Sequence, residues 1–577
     1  MCRSIIMRIY RLQVKNFRGI KSLDWLIKGR VACLIGPGDS TKTTILDAIE
    51  YALNPRYNLQ FTDVDFYNAV TSEGIEIIVT VGDLPARVKD EGNLGLYLQG
   101  WDAVRCSLSD SGEPEESCEQ VVSIRLKVDS ALEPSWTAIT VANNEGIMVS
   151  SRLREQLGMA RLGEHIDQEL SWGKGSALFK STGDISEALS ALRDAGRQAC
   201  DAVDSDSMQL LSRVAREAHA NACEFAALGC TPYSPALDPH FLFGRTTAIS
   251  LHQGNIPLRL SGLATRRIVA LALQKQSVKG GAILLVDELE HGLEPYRIRH
   301  LVRKLQSETR DSKVGQVIIT SHSPTVLVEM DANEVYIVRS TNNGTTIVQE
   351  ADSQEMKKSL RRFPEAYFAP SIVVCEGATE WGMILAFRDY WADNHEQLTY
   401  EHKGVAIIDG EGNNAQNLAY HLSMLGYQVS LFRDSDEDLK PEYAKKLEGK
   451  VKIIQWSDKC ATEQRIAMDI PLENINELTD LASTLNSNDK IKADFENKYG
   501  VKINNSKLDL IGLTEEGIPD SIIRSSLGEA AKAGRWFKNI PAGEELGKYI
   551  IGIVDKISPE KDLMIQFSEL EKWIYAS

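Results

Sequence analysis

The chain of 577 residues is too long for one hydrophobic core, and roughly two to four domains are expected. Its 43% hydrophobic and 25% charged residues are those of a water-soluble globular protein, with no apolar run near the ~20 residues of a membrane span and no secretory pattern at the start. Nine scattered cysteines without a C-x-x-C pair argue against a disulfide framework or structural zinc and for a reducing, cytoplasmic setting; the net charge of −17 decides little, because an acidic chain can still carry a local basic groove.

The opening stretch, residues 7–20, alternates apolar and polar positions as a half-buried strand does. Residues 1–6 add nothing to it, so Met7 reads as an alternative start. Lys15-Asn-Phe-Arg-Gly-Ile20 resembles the beginning of ABC-type ATPases related to the SMC and RecF proteins. The apolar run Val31-Ala-Cys-Leu-Ile35 then leads into Gly36-Pro-Gly-Asp-Ser-Thr-Lys-Thr-Thr44 and a helical pattern over residues 45–53. Strand, glycine-bearing loop and helix are the context a Walker A motif needs. There Gly36, Gly38 and Thr44 would line the phosphates, Lys42 would reach the β/γ oxygens, and Thr43 would hold Mg2+. Thr41 stands where the motif has glycine, and loss of the nucleotide site is the alternative at this point.

Residues 56–150 mix strand-like runs at 74–81 and 120–128 with an acidic loop around Glu113 to Glu119. From about residue 150 to 228 the texture turns helical, as in Ile185-Ser-Glu-Ala-Leu-Ser-Ala-Leu-Arg-Asp-Ala195. ABC-type relatives carry a helical insertion here, which the resemblance makes a dimerisation element; a lobe packed within one chain is the alternative. Leu260-Ser-Gly-Leu-Ala-Thr-Arg-Arg267 resembles the ABC signature, so Ser261 would touch the nucleotide held by a second protomer, although Leu263 replaces the usual second glycine.

Ala282-Ile-Leu-Leu-Val-Asp-Glu288 is an apolar run suited to a strand buried on both faces, with two carboxylates at its end. Asp287 suits the Mg2+ water shell, and Glu288 would orient or activate the attacking water. His291-Gly-Leu-Glu-Pro295 resembles the D-loop that comes next in that family. The next buried run, Val317-Ile-Ile-Thr-Ser-His322, ends in a histidine that matches the family's switch, a sensor of the γ-phosphate. In this order the motifs resemble an ABC-type ATPase head.

Beyond a hinge expected near Arg361-Arg-Phe-Pro364, the run Ser371-Ile-Val-Val-Cys-Glu-Gly-Ala-Thr-Glu380 ends in one carboxylate, turns at a glycine and carries a second on a helix. Gln428-Val-Ser-Leu-Phe-Arg-Asp-Ser-Asp436 repeats the design. Adjacent parallel strands would gather Glu376, Glu380, Asp434 and Asp436 at one sheet edge, where open α/β sheets place their sites. Clustered carboxylates call for protons or hard cations, Mg2+ or Mn2+. Asp409, at the tip of the run 404–409, is a secondary ligand candidate. Glu463 would complete a second metal site, or be a surface glutamate. Lys532-Ala-Gly-Arg-Trp-Phe-Lys538 lies in a helical, lysine-rich tail and is similar to the basic W-F-K stretch of the family named next; that resemblance implies that Lys538 grips a phosphate, and an ordinary surface lysine is the alternative.

The E-G-x-x-E and D-x-D pair resembles a TOPRIM domain, and with the preceding ATPase nearly the whole chain resembles the OLD (overcoming lysogenisation defect) nucleases. The expected fold class is α/β: an ABC-type head (1–150 and 236–360) interrupted by a helical insertion (151–235), a TOPRIM-like parallel domain (361–466) and a helical region (467–577). The resemblance implies ATP and Mg2+ or Mn2+ as cofactors, with ATP as a switch and DNA as the favoured substrate over RNA. Glu376, Asp434 and Asp436 would be ligands, Glu380 a ligand or general base, and Lys538 catalytic. It implies a homodimer or higher homo-oligomer, room for a defence-system partner protein, no membrane partner and a role against phage. A RecF-like clamp that binds without cutting would explain the ATPase but leave the acidic tips unused. A topoisomerase needs a tyrosine nucleophile and strand-passage domains, and a primase needs a zinc module; neither is apparent.

Overall fold

The computed structural model describes residues 7–55, 59–109, 114, 118–163, 166–172, 176–182, 209–225, 231–237, 249–277, 283–351, 353–503 and 508–576. By its internal packing the chain divides into two units, Met1–Ser353 and Gln354–Ser577.

In the first unit the described strands of the central sheet run Met159–Leu162, Ile283–Val286, Gln316–Thr320, Val31–Ile35, Val335–Ser340 and Thr346–Glu350, the first five parallel and the last antiparallel. Val31–Ile35, Ile283–Val286 and Gln316–Thr320 are buried along their whole length, which is why the first two read as unbroken apolar runs and the third is apolar between its end residues. A second, antiparallel sheet contains Arg8–Phe17, Ile20–Leu26, Ile75–Gly82, Glu119–Val128 and Pro134–Ile139. The helix Lys42–Leu53 buries Ile45, Leu46 and Ile49 in one core with Leu12, Val14, Ile77 and Val79 of that sheet and Ala32, Leu34, Leu285 and Ile318 of the central one. Each of these valine, leucine and isoleucine side chains contributes about 1.5–3 kcal/mol by leaving water. The phosphate-loop helix is thereby fixed between two sheets.

The helical reading of residues 151–235 needs correction. Among the described residues, helices Ser151–Gln156, Ile166–Glu169, Ala177–Thr182 and Gln209–Phe225 are present, but Met159–Leu162 is an edge strand of the central sheet and Tyr233–Leu237 pairs antiparallel with Ile249–Gln253. Four residues are too few to show a period, and the strand exists because its neighbour supplies hydrogen bonds: Ile283 N–H donates to Gly158 O at 3.0 Å and Asp287 N–H to Leu162 O at 3.0 Å. Helix Gln209–Phe225 packs on helix Leu263–Ser277, with Asn221 Nδ2 donating to Gln276 at 3.4 Å and Gln276 Nε2 to Glu217 at 3.0 Å. The run 185–195 and most of the acidic loop at 113–119 lie outside the described residues.

The expected hinge at 361–364 also shifts. The boundary falls at 353/354, and helix Gln354–Arg362 belongs to the second unit, where Arg362 bonds Asp409 and Tyr367 Oη meets Met356 Sδ at 3.6 Å.

The second unit is built on four parallel strands in the order Val405–Asp409, Ser371–Cys375, Gln428–Arg433, Val451–Gln455. Helices of the C-terminal region share its core: Val373, Phe432 and Ile454 of the sheet cluster with Leu527, Leu546 and Phe567. Helix Ile540–Gly552 lies unusually close to helix Ala378–Asn394 because glycines form the seam. A Cβ on Gly543 would stand 2.6 Å from Thr379 O, one on Gly547 2.7 Å from Ala386 Cβ, and one on Gly382 would collide with Ile540 O. Thr379 Oγ1 donates to Phe537 O at 2.9 Å across the same seam. That close approach carries Lys538, the next residue, to the carboxyl edge of the sheet. Among the described residues no helix is long and apolar enough to cross a membrane.

Candidate functional site

The expected phosphate loop leaves a buried strand and opens a helix whose N-cap residue, Thr41, makes no side-chain cap, the arrangement in which first-turn N–H groups can take an anion. Gly36 has φ +149°, and a Cβ there would run into Val338 O, so only glycine fits; Gly38 has open space around it. Thr41 adopts the left-handed conformation, φ 69° and ψ 16°. A β-branched residue pays for that geometry with strain. Its side chain is held by bonds with Ser40 O at 2.6 Å and Thr346 Oγ1 at 3.2 Å, and it packs against the hairpin tip at Gly19. The backbone geometry that glycine normally supplies is therefore present with threonine in place.

Lys42 Nζ is buried and folded onto the loop, donating to Gly36 O at 3.2 Å, Pro37 O at 2.7 Å and Ser40 Oγ at 3.0 Å. Burial pushes its ammonium down to about 8, opposed by Asp39 and Asp287. Thr43 Oγ1 donates to Asp287 Oδ1 at 3.2 Å, uniting the loop with the acidic strand, and Thr44 is half-buried in the helix's first turn. Thr320 Oγ1 fixes the same oxygen at 2.6 Å. Glu288 is exposed and left-handed, φ 44°, with His291 Nδ1 3.4 Å from its carboxylate. Such strain at the end of a buried strand accompanies functional sites.

Several working residues were not read from the sequence. Glu290 pins the switch segment, accepting from Ser321 Oγ at 2.8 Å and from the His322 N–H at 2.6 Å. The His322 imidazole is lowered below its ordinary value by burial and then by Lys42. Arg267, buried one turn into the signature helix, donates to the main-chain oxygens of Asp287 and Glu288. Ser261 sits just before that helix, its N–H bonded to Leu258 O at 2.9 Å, and nothing lies within 4 Å of the Cβ position of Gly262. Arg18 and Arg161 both bond Asp47. The arginine in the turn that ends K-N-F-R and the one in the M-A-R-L strand were the available signal.

In the second unit the register pairs Cys375 with Asp409 on one side and with Phe432 on the other, so Glu376, Asp409 and Asp434 all emerge at the carboxyl edge. The Glu376 N–H continues the ladder to Phe432 O at 2.8 Å. Asp409 lies on the far side of strand Ser371–Cys375 from Asp434, which separates it from the D-x-D pair. Its carboxylate is taken by Arg362 at 2.9 Å and by the Glu411 N–H at 2.9 Å.

Glu380 and Asp434, both buried, converge on one hydroxyl: Thr462 Oγ1 lies 2.7 Å from Glu380 Oε1 and 2.5 Å from Asp434 Oδ1, while Trp456 Nε1 donates to it at 2.8 Å. The hydroxyl has one proton for two carboxylates, so the second short contact requires a proton on the pair. Burial and then Glu380 push the Asp434 carboxyl up to about 7, and burial raises Glu380 as well.

Glu463 is not a surface residue. Its side chain is fully buried, with Lys538 Nζ at 3.4 Å and neither oxygen hydrogen-bonded. Burial works against the charge on Lys538, but Glu463, Glu380 and Asp434 outweigh it and raise the ammonium. Lys538 is accordingly part of the acidic cluster and only partly exposed. Asp436 pairs with Lys532 at 2.9 Å, and Glu376 with buried Arg433 at 3.3 Å. Among the described residues no three His, Cys, Asp or Glu side chains stand arranged as a metal cage; lysines and arginines hold the outer carboxylates. The inner donors are all hard oxygens, the donor type that Mg2+ or Mn2+ takes, and Glu463 has two oxygens without a hydrogen bond.

Residues 176–329 match the family model described as "AAA domain, putative AbiEii toxin, Type IV TA system". The match spans the signature, acidic strand and switch histidine, so this part of the first unit carries an ATPase-type domain, the kind that binds nucleotide. Among solved structures the chain is similar to an SMC head bound to the C-terminal winged-helix domain of ScpA (16% identity, 61% of this chain and 99% of that one, TM-score 0.36). It is likewise similar to a Pyrococcus furiosus SMC head with an extended coiled coil (14%, 62% and 100%, 0.39) and to the Thermotoga maritima SMC head (13%, 60% and 100%, 0.30). No curated protein matches the chain.

Proposed function

We propose that the chain is an ATP-regulated, divalent-metal-dependent endonuclease of the OLD type, with an ABC-like head in the first unit and a TOPRIM-like nuclease in the second. The observation that carries this reading is the convergence of buried Glu380, Asp434 and Glu463 on Thr462 and Lys538 at the carboxyl edge of a parallel sheet. Carboxylates this close, in this little water, are stabilised by a cation. Glu380, Asp434 and Glu463 would hold the inner metal, with Glu376 and Asp436 completing the outer side once Arg433 and Lys532 yield. Mg2+ or Mn2+ bound there supplies the Lewis acidity for hydrolysing a phosphodiester. Lys538, fixed by the glycine seam, would grip a phosphate oxygen and balance its charge.

DNA is the favoured substrate. In the first unit Lys42, Thr43 and Asp287 would hold ATP and Mg2+, with Ser261 of a second protomer completing the site, which makes a homodimer part of the reading. ATP acts as a switch, since hydrolysis of a phosphodiester by water needs no nucleotide energy. The matched family's description names a toxin, which accords with a role in defence against phage. The second reading, a DNA-binding ATPase that does not cut, draws on the ion pairs that hold Glu376, Asp409 and Asp436. Supercoiled plasmid incubated with the protein and Mn2+ or Mg2+ separates the two. Nicked circles that disappear with EDTA are expected; intact plasmid under all metal conditions would leave the non-cutting ATPase.

A further inference from the structure

Arg161 lies on the edge strand Met159–Leu162, in register with Leu285, so it runs beside the acidic strand and ends level with Asp287. One guanidinium nitrogen bonds Asp47 and, at 2.7 Å, Glu50, both on the helix that leaves the phosphate loop. The other reaches Asp287 Oδ2 at 3.1 Å. Arg161 thus ties the acidic strand to the phosphate-loop helix through a fork that no single point charge reproduces. The two oxygens of Asp287 are divided between partners: Oδ1 faces Thr43 and Thr320, and Oδ2 faces Arg161. Thr43 is the hydroxyl that a nucleotide-bound Mg2+ would use, so Oδ1 is the metal-facing oxygen and Arg161 grips the carboxylate from behind.

We infer that Arg161 is a positioning residue for the nucleotide's metal ion, clamping Asp287 so that its free edge is aimed at the Thr43 side of the site. This inference rests on the ATPase reading and adds a residue to it. Partners one shell out from a metal change its affinity by about 10- to 100-fold when removed. Loss of Arg161 should therefore be read in the Mg2+ requirement for nucleotide binding rather than in nucleotide binding itself.

The test uses the full chain and a fluorescent ATP analogue, titrated in EDTA and across a Mg2+ series, for the parent, R161Q and R161K. In R161Q the Mg2+ concentration at half-effect should rise about 10- to 100-fold, with the affinity in EDTA close to the parent's. R161K, charged but unforked, should fall between the two, and it carries the test should R161Q fail to fold. An unchanged Mg2+ requirement in a folded variant overturns the inference, as does an equal loss of affinity with and without Mg2+, the mark of a merely structural role. A parent that binds no nucleotide at all would instead sink the ATPase reading.

Discussion

The phosphate loop and the acidic sheet edge are built on the same plan with opposite charge. Each stands at the carboxyl end of buried parallel strands, and each holds an ionisable group that burial forces away from its ordinary value. In the first unit that group is a cation: Lys42, folded onto main-chain carbonyls and pushed down to about 8. In the second it is an anion: Asp434, sharing a hydroxyl with Glu380 and pushed up to about 7. A phosphate would restore the first and a divalent cation the second. Each perturbation has the sign that the proposed ligand would relieve.

The largest effect expected from this contrast is a pair of opposed pH profiles. Below about 7 the Glu380–Asp434 pair keeps a proton that a metal must displace, so Mn2+ affinity and nicking should rise with pH up to that point, by about tenfold per unit, and then level. Lys42 loses its proton above about 8, so nucleotide affinity should be level below that pH and fall above it. Isothermal titrations at pH 6, 7, 8 and 9 check both, and two flat profiles would break the comparison.

A smaller effect concerns Thr41. Glycine at this position removes a left-handed strain of about 1–2 kcal/mol but frees the unfolded backbone at a cost of roughly 0.5–1 kcal/mol. T41G should melt at the parental temperature or up to about 3 °C higher, and bind nucleotide equally or more tightly. A several-fold loss of affinity would show that the threonine side chain, through Thr346 and Gly19, does more than tolerate the loop's geometry.

The sequence is legible where its signal is local. Residues 283–288 and 371–376 announce themselves because a parallel strand covered on both faces must be apolar until it ends, and the carboxylates at its end are then conspicuous. Residues 159–162 could not, being a strand only by virtue of Ile283–Val286 beside it. Nor was Thr462 legible as the meeting point of Glu380 and Asp434, since it lies 82 residues from one and 28 from the other. Glu463 left both readings open because burial of a charge depends on the helices packed over it, here brought in by glycines more than 60 positions away, as at Gly543 and Gly547. Arg161 was missed for the same reason, its partner Asp287 standing 126 positions on.

The most direct test of two sites with opposite ligands measures nucleotide binding and plasmid nicking side by side on the parent, D434N and K42A. D434N should bind the ATP analogue as the parent does while nicking is lost. K42A should bind it about 10- to 150-fold more weakly, the value of a charge-assisted hydrogen bond of roughly 1.5–3 kcal/mol. Nicking by D434N at the parental rate would contradict the assignment of the acidic edge as the cutting site.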